Sequence, residues 1–148
     1  MKIRTELSEC EEIVIRCREL NDRARSLELL IAEAINAESE ILLFSSGKEH
    51  LIPKKDILFF ESSDKRVYAH TSECVYSAPY KLFELEDKMP SCFVRISKSV
   101  IANVKQVSSI HREISGGGEI AFRGSDKTTY FSRAYHKLLQ HKINETRL

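Results

Sequence analysis

The amino-acid sequence predicts a mainly β fold of about ten short strands with three small helices. From residue 41 onward, short runs rich in β-branched and aromatic residues alternate with polar turn residues, a pattern typical of strands. Helical spacing of apolar residues is confined to three segments: residues 22–36, the stretch between Pro79 and Pro90, and residues 133–143. The 148 residues suffice for one compact domain or a domain with an extension.

The N-terminal part predicts a β-β-α unit. Residues 2–7 and 12–18 alternate between apolar and polar side chains, which indicates two half-buried strands. The helix at 22–36 follows, with Asn21 as its N-cap. This unit is too small to enclose a core by itself. We therefore expect residues 1–40 to serve as a dimerisation or regulatory element, and residues 41–148 to form the main domain.

The remaining strands are separated by recognisable turns. Gly47 and Lys48 form one turn, the polar cluster 63–66 forms another, and the triple glycine 116–118 predicts a hairpin. The predicted strands comprise residues 41–46, 49–53, 56–62, 67–72, 74–77, 92–95, 107–114, 119–123 and 127–131.

Several protein classes are excluded by composition and motif. The longest apolar runs, such as 41–44, are far shorter than the roughly 18 residues of a membrane span, and no signal peptide is evident, so we expect a cytoplasmic protein without membrane insertion. The four cysteines are scattered without a CxxC pair, which indicates reduced thiols. No P-loop, no GxGxxG and no paired histidine motif occurs. The sequence therefore predicts no enzyme, no metal and no cofactor.

Charge is unevenly distributed along the chain. Residues 1–53 carry 7 Lys/Arg and 11 Asp/Glu, a net −4, whereas residues 54–148 carry 16 and 11, a net +5. The two halves sum to the overall charge of +1. This asymmetry is compatible with a polyanionic partner for the C-terminal part and equally with an ordinary solvated surface.

Three polar segments combine cations with short hydroxyl side chains. Cations supply charge to a phosphate, while hydroxyl and backbone N–H groups supply geometry, so such segments suit a phosphate backbone. Taken singly, each segment is better explained as a solvated turn, because turns are polar in any case. That second interpretation is weakest at residues 95–99, because β-forming residues flank both cations. The residues concerned are Lys65 and Arg66 in 63–66, Arg95, Ser97, Lys98 and Ser99 in 95–99, and Ser132, Arg133, His136 and Lys137 in 131–137.

Residues 93–110 resemble the LytTR family of bacterial DNA-binding domains. The family pattern is approximately Phe-x-Arg-x-His-Arg/Lys-Ser-x-hydrophobic-Val-Asn, followed by hydrophobic-x-x-Ile. Ser97 departs from it, since many members have histidine there, and Ala102 replaces the usual valine. The resemblance extends over roughly residues 41–143. The matching residues are Phe93, Arg95, Lys98, Ser99, Ile101, Asn103 and Ile110.

The resemblance implies an elongated β domain that contacts DNA through loops rather than through a recognition helix. The turn at Lys65 and Arg66 would enter one major groove, and Arg133 would enter the next. Asn103 and Phe93 would hold the central loop. The implied DNA-binding residues are Lys65, Arg66, Ser97, Lys98, Ser99, Arg133, His136 and Lys137, of which the last two would support contacts to the DNA backbone.

The resemblance also implies a function and partners. We expect a sequence-specific transcriptional regulator that binds direct repeats in promoter DNA as a homodimer, with a membrane protein as its regulator. Family members usually follow a receiver domain, and residues 1–40 are too few for one. The alternative is a protein–protein interaction module that acts through the acidic N-terminal helix, without specific DNA binding.

Overall fold

The structure, a computed structural model, describes residues 13–37 and 39–146, without the side chains of residues 36 and 37. The chain divides into two compact units, Met1–Ile35 and Asn36–Leu148. The sequence predicted this boundary after residue 40, a few residues later in the chain than the boundary between Ile35 and Asn36.

Helix α1 (Asp22–Ala37) forms as predicted, and its residues up to Ile35 belong to the N-terminal unit. The Asn21 side chain accepts a hydrogen bond from the Ala24 backbone N–H at 3.0 Å, which confirms it as the N-cap. The strand predicted at 12–18 is wrong, since residues 13–17 carry no regular structure. A strand needs a hydrogen-bonded neighbour, and Ile13 and Val14 are instead 62% and 59% exposed. The strand predicted at 2–7 lies outside the described residues.

The second unit is built on a seven-stranded antiparallel sheet. Its strand order is β2-β1-β5-β4-β3-β7-β6, so the β3–β7 pair joins an early hairpin to a later one. Phe59 and Phe60 of β3 and all four residues of β7 are buried, so these two neighbouring strands lie in the core. The strands are β1 (Glu40–Ser45), β2 (Lys48–Pro53), β3 (Phe59–Ser63), β4 (Arg66–His70), β5 (Val75–Ala78), β6 (Phe93–Arg95) and β7 (Val100–Asn103).

A separate three-stranded antiparallel sheet follows, in the order β10-β9-β8. It consists of β8 (Val107–Arg112), β9 (Gly118–Phe122) and β10 (Thr128–Phe131). The triple glycine lies at the β8–β9 turn, as predicted. Ile120 and Phe131 from this sheet are fully buried and belong to the same core as the seven-stranded sheet.

Two short helices complete the second unit. Helix α2 (Leu82–Lys88) begins where the Glu84 carboxylate accepts a hydrogen bond from the Lys81 backbone N–H at 3.2 Å, and it buries Leu82 and Leu85. A 3₁₀ turn (Arg133–Tyr135) leads into α3 (His136–Thr146), which buries Leu139 and Ile143. No helix within the described ranges is long and apolar enough to cross a bilayer.

Strand β7 is absent from the sequence prediction. It lies between β3 and β6 and all four of its residues are buried. Ala102 and Asn103 are poor strand formers, so the segment looks too short for a strand until its two partners are known. The mainly β class and the ten strands found among the described residues nevertheless agree with the prediction.

Candidate nucleic-acid interface

The three polar segments predicted from the sequence lie side by side. The Ser62 N–H, at the end of β3, donates to the Ser99 carbonyl at 2.7 Å. The Ser132 N–H, just after β10, donates to the Ile96 carbonyl at 2.9 Å. The loop at residues 95–99 is therefore joined by main-chain hydrogen bonds to the segments on either side of it.

The β3–β4 turn presents two cations at its tip. Asp64 and Lys65 have φ of 49° and 64°, so both central residues are left-handed, as a type I′ turn requires. Ser63 pairs with Arg66 across the hairpin. The side chains of Lys65 and Arg66 are exposed and form no hydrogen bond or ion pair with any described residue. They line a shallow surface groove that Lys81 also borders.

Arg95 organises the central loop from the inside. Its Nε donates to the Ser97 carbonyl at 2.9 Å and its Nη2 donates to the Lys98 carbonyl at 2.5 Å. Its Nη1 lies 3.5 Å from the Glu86 carboxylate of α2. The sequence predicts that both loop cations face a phosphate backbone, and this is wrong for Arg95. The guanidinium satisfies carbonyls that a short turn leaves without partners.

Of the remaining residues of the loop, Ile96 anchors it to the core and Lys98 is exposed at its surface. Ile96 is fully buried and fixes the loop to the core. The Ser97 hydroxyl accepts a hydrogen bond from the Ser99 N–H at 3.2 Å, and the two hydroxyls are 3.4 Å apart. Lys98 is exposed and its ammonium group forms no bond within the described chain. The loop thus presents one free ammonium group between two hydroxyls.

Asn103 holds the base of the same hairpin. Its side chain is 1% exposed, and its amide NH₂ donates to the Ile57 carbonyl at 3.0 Å. Its side-chain oxygen accepts from the Lys105 N–H at 3.2 Å. Removing such a buried, bonded amide leaves backbone groups unpaired at a cost of about 1–3 kcal/mol. Asn103 is thus a structural residue.

The segment at 131–137 contributes one clearly displayed cation on the 3₁₀ turn and one on the helix. Arg133 and Lys137 are both exposed and lack a described hydrogen-bond or ion-pair partner. His136 differs, because its Nε2 is buried without a hydrogen bond and its ring stacks on Phe131 at a centroid distance of 5.9 Å. In this conformation Nε2 of His136 is shielded from solvent.

The sequence-based prediction missed one contact behind Arg133. A Cβ placed on Gly116 would lie 2.7 Å from Cγ and 2.9 Å from Cδ of Arg133, so the arginine stem lies directly over this glycine. Three consecutive glycines exceed what a hairpin turn needs. That excess is the sequence signal for a close approach at this turn.

Other titratable groups lie outside the three segments. His70 of β4 forms a hydrogen bond with Glu61 at 2.7 Å and stacks on Phe59 at 4.2 Å. Burial lowers the pKa of His70 and outweighs the opposing effect of the Glu61 carboxylate. Burial likewise raises the pKa of the Cys92 thiol, which keeps it protonated. Within residues 13–37 and 39–146, no cluster of three or more His, Cys, Asp or Glu side chains is arranged to hold a metal ion.

Comparison with known families identifies the fold that carries these three segments. The model of the LytTr DNA-binding domain matches residues 47–144. The chain belongs to the LytTR family. Its relatives include two Staphylococcus aureus proteins described as uncharacterized HTH-type transcriptional regulators. The protein of strain NCTC 8325 is 31% identical over 135 residues, and that of strain MRSA252 is 30% identical over the same length. Each alignment covers 89% of this chain and 88% of the relative.

A solved structure shows the same fold. A LytTr DNA-binding domain from Bacillus cereus superimposes with a TM-score of 0.66 at 20% sequence identity, covering 72% of this chain and 97% of that domain. The description of the staphylococcal relatives names a helix-turn-helix. In the described part of this chain, strands separate every α-helix from the next, so no helix-turn-helix pair forms there.

Proposed function

We propose that the protein is a sequence-specific transcriptional regulator that contacts DNA through the three joined polar segments. The observation that carries the proposal is the pair of main-chain hydrogen bonds, Ser62 to Ser99 and Ser132 to Ile96, which set the three segments in a row. Lys65, Lys98 and Arg133 stand one on each segment with free cationic groups. A row of cations at fixed spacing suits the regular phosphate charge of duplex DNA.

The three segments have different tasks in this proposal. Lys65 and Arg66 enter one major groove, Arg133 enters the next, and Lys98 contacts the phosphates between them. Arginine suits the outer positions, because its two parallel donors match the O6 and N7 acceptors of guanine. Lysine suits the middle position, where a single charge and the neighbouring serine hydroxyls meet phosphate oxygens. Lys137 adds a phosphate contact beside Arg133.

The first test is fluorescence anisotropy with duplex DNA from upstream of the protein's own gene, beside a scrambled duplex. If about 4–6 phosphates are neutralised, log affinity falls against log salt with a slope of about −4 to −5. Tight binding that prefers the upstream duplex supports the proposal. Weak and equal binding to both duplexes contradicts it and favours a protein partner for the N-terminal helix.

Arg133→Ala separates base contact from phosphate contact. We expect it to lose about 1–3 kcal/mol on the preferred duplex and much less on the scrambled one, because a bidentate base contact discriminates between sequences. Arg123→Ala is the matched control, since Arg123 is an exposed arginine beyond the opposite end of β9. An equal loss on both duplexes would make Arg133 a phosphate contact.

The protein is further proposed to bind direct repeats as a homodimer through α1. Ala24 is the one buried residue among the described side chains of this helix, while Leu29, Leu30 and Ile35 are 57%, 61% and 55% exposed. Large apolar side chains on an isolated helix gain free energy when a second copy covers them. A dimer would also present two sets of DNA-contacting segments to two repeats.

Sedimentation velocity tests the dimer. Leu30→Glu places a charge at an exposed apolar position of α1 and is expected to shift the protein to monomer. Arg25→Glu, at an exposed position on the same helix, serves as the control. A wild-type protein that remains monomeric at the highest concentration measured contradicts the dimer. DNA binding by a monomer at a single repeat would leave the proposed regulator function in place.

A further inference from the structure

The β8–β9 turn presents an apolar side chain at its tip. The Gly116 N–H donates to the Glu113 carbonyl at 3.0 Å, which closes a four-residue turn with Ile114 and Ser115 at its centre. The Ile114 side chain is fully exposed. Turn centres favour Gly, Asn, Asp, Ser and Pro, and an isoleucine in full contact with water contributes nothing to folding. Ile114 is therefore free to contact a ligand outside the domain.

The turn is held firmly against β10. The Glu113 N–H donates to the Gly117 carbonyl at 2.8 Å, and the Glu113 carboxylate accepts a hydrogen bond from the Tyr130 hydroxyl at 3.0 Å. A Cβ on Gly117 would lie 2.8 Å from the Phe131 carbonyl oxygen. A side-chain hydrogen bond and close backbone packing thus fix the Glu113–Gly117 turn to β10.

The same turn lies directly beneath Arg133. Gly116 has φ of 96°, and its missing Cβ leaves the space that Cγ and Cδ of the arginine occupy. The stem of Arg133 thus lies against the last residue of the turn whose centre is Ile114. Any major groove that the Arg133 guanidinium enters also lies within reach of the β8–β9 turn.

We propose that the Glu113–Gly117 turn is a fourth DNA-contacting element, in which Ile114 contacts a thymine methyl group beside the base recognised by Arg133. The inference rests on the proposed function and extends it. The C5 methyl of thymine is the apolar group that a base pair presents in the major groove, and it is the expected partner for an aliphatic side chain there. Gly116 acts as a positioning residue that sets the direction of Arg133.

The test couples a protein substitution to a single missing methyl group in the DNA. The probe is a duplex enriched by the wild-type protein from a randomised library, with each thymine replaced in turn by deoxyuridine. One replacement is expected to lower wild-type affinity about four-fold, the factor that corresponds to burying one methyl-sized group. The Ile114→Ala variant is expected to bind the thymine duplex about four-fold more weakly than wild type does. Its affinity should not change further when deoxyuridine replaces that one thymine.

Ile114→Ala should not destabilise the fold, because a fully exposed side chain can be removed without opening a cavity. A change in DNA binding therefore reports on the contact itself. Leu51→Ala is the matched control: Leu51 is an exposed aliphatic residue on β2, at the sheet edge opposite β6, and this variant should keep the wild-type sensitivity at every thymine.

Gly116→Ala tests the positioning role. We expect it to lower affinity for the enriched duplex at least about five-fold, because the added methyl displaces the stem of Arg133. Gly124→Ala is the control, since Gly124 also has a positive φ, of 66°, but nothing within 4 Å of the added Cβ. In the Arg133→Ala background, Gly116→Ala should cause no further loss of binding, whereas a purely structural defect would still add to the loss.

The outcomes distinguish this inference from the proposed function. Specific binding by the wild-type protein, with Ile114→Ala as sensitive as wild type to every deoxyuridine, overturns the fourth element and leaves the regulator function standing. Failure of the wild-type protein to enrich any sequence from the library overturns both. Loss of sensitivity at one thymine supports both.

Discussion

Two hairpin turns of the large sheet share one backbone geometry and differ in sequence. The β1–β2 turn has Ser46 and Gly47 at its centre, with φ of 50° and 74°, and the β3–β4 turn has Asp64 and Lys65, with φ of 49° and 64°. Ser45 pairs with Lys48 in the first turn, as Ser63 pairs with Arg66 in the second. The two turns differ at both central positions, and the difference that bears on backbone strain is Gly47 against Lys65 at the second one.

The comparison shows that the β3–β4 turn carries a backbone strain that the β1–β2 turn avoids. Glycine is the default at the second position of a type I′ turn, because a side chain there costs about 1–2 kcal/mol. Gly47 follows this rule. Lys65 does not, and its ammonium group gains no compensating hydrogen bond or ion pair from any described residue. On the proposed function, the ammonium group of Lys65 contacts DNA, and this contact is the reason to keep a strained residue there.

The largest change in folding stability is expected when a lysine replaces the glycine of the β1–β2 turn, which gives that turn the strain of the β3–β4 turn. Gly47→Lys should lower the free energy of unfolding by about 1–2 kcal/mol, because nothing surrounds Gly47 that would restrict the new side chain apart from its own backbone. Urea unfolding measures the change. Gly47→Asn, which tolerates the left-handed conformation, should cost less than Gly47→Lys. Equal losses would mean that side-chain strain does not set the cost.

The reverse change at the second turn should trade binding for stability. Lys65→Gly is expected to raise the free energy of unfolding by about 1 kcal/mol, and to reduce the salt slope of DNA binding by about 1 as one phosphate contact is lost. Lys48→Ala, on the other hairpin, should leave the slope unchanged. A Lys65→Gly protein that binds as well as wild type would remove Lys65 from the proposed interface.

The hairpins should also respond differently to acid. The pKa of His70, on the β3–β4 hairpin, is lowered from 6.5, mainly by burial. The unfolded chain therefore takes up the proton first, so stability should decline as pH falls through 6.5, and the decline should end once the folded form is protonated as well. Urea unfolding at a series of pH values checks this. His70→Gln should flatten the profile between neutral pH and the folded pKa, and an unchanged slope would assign it to another group.

The smallest effect is expected at the first turn position. Ser46→Asp gives the β1–β2 turn the residue that the β3–β4 turn already carries. Aspartate adopts the left-handed conformation more readily than most side chains, so we expect the free energy of unfolding to change by less than about 0.5 kcal/mol. A clearly larger loss in urea unfolding would show that the two turns are not equivalent and would weaken the comparison.

Local patterns in the sequence predicted most of the fold. Asn21 predicted the start of α1, the triple glycine predicted the β8–β9 turn, and the prolines on either side of α2 predicted its limits, because each depends on backbone geometry within a few residues. The strand predicted at 12–18 is wrong, and β7 was not predicted. Both errors arise because strand formation depends on a partner distant in sequence.

The candidate site was also predicted only in part. The sequence identified the three polar segments, since cations and hydroxyl groups in turns are visible in a single chain. It did not show that Arg95 turns inward to its own loop carbonyls, or that Arg133 lies across Gly116. Both depend on side-chain direction, which sequence spacing does not specify.

The main-chain links between the three segments bear on how such a domain can change its target. The bonds from Ser62 to Ser99 and from Ser132 to Ile96 use only N–H and carbonyl groups. Exchanging the displayed side chains at Lys65, Lys98 or Arg133 therefore leaves the spacing of the segments intact. On the proposed function, a descendant can alter its preference for one base without moving the neighbouring contacts. New DNA targets then become accessible by single substitutions, each of which keeps the remaining contacts.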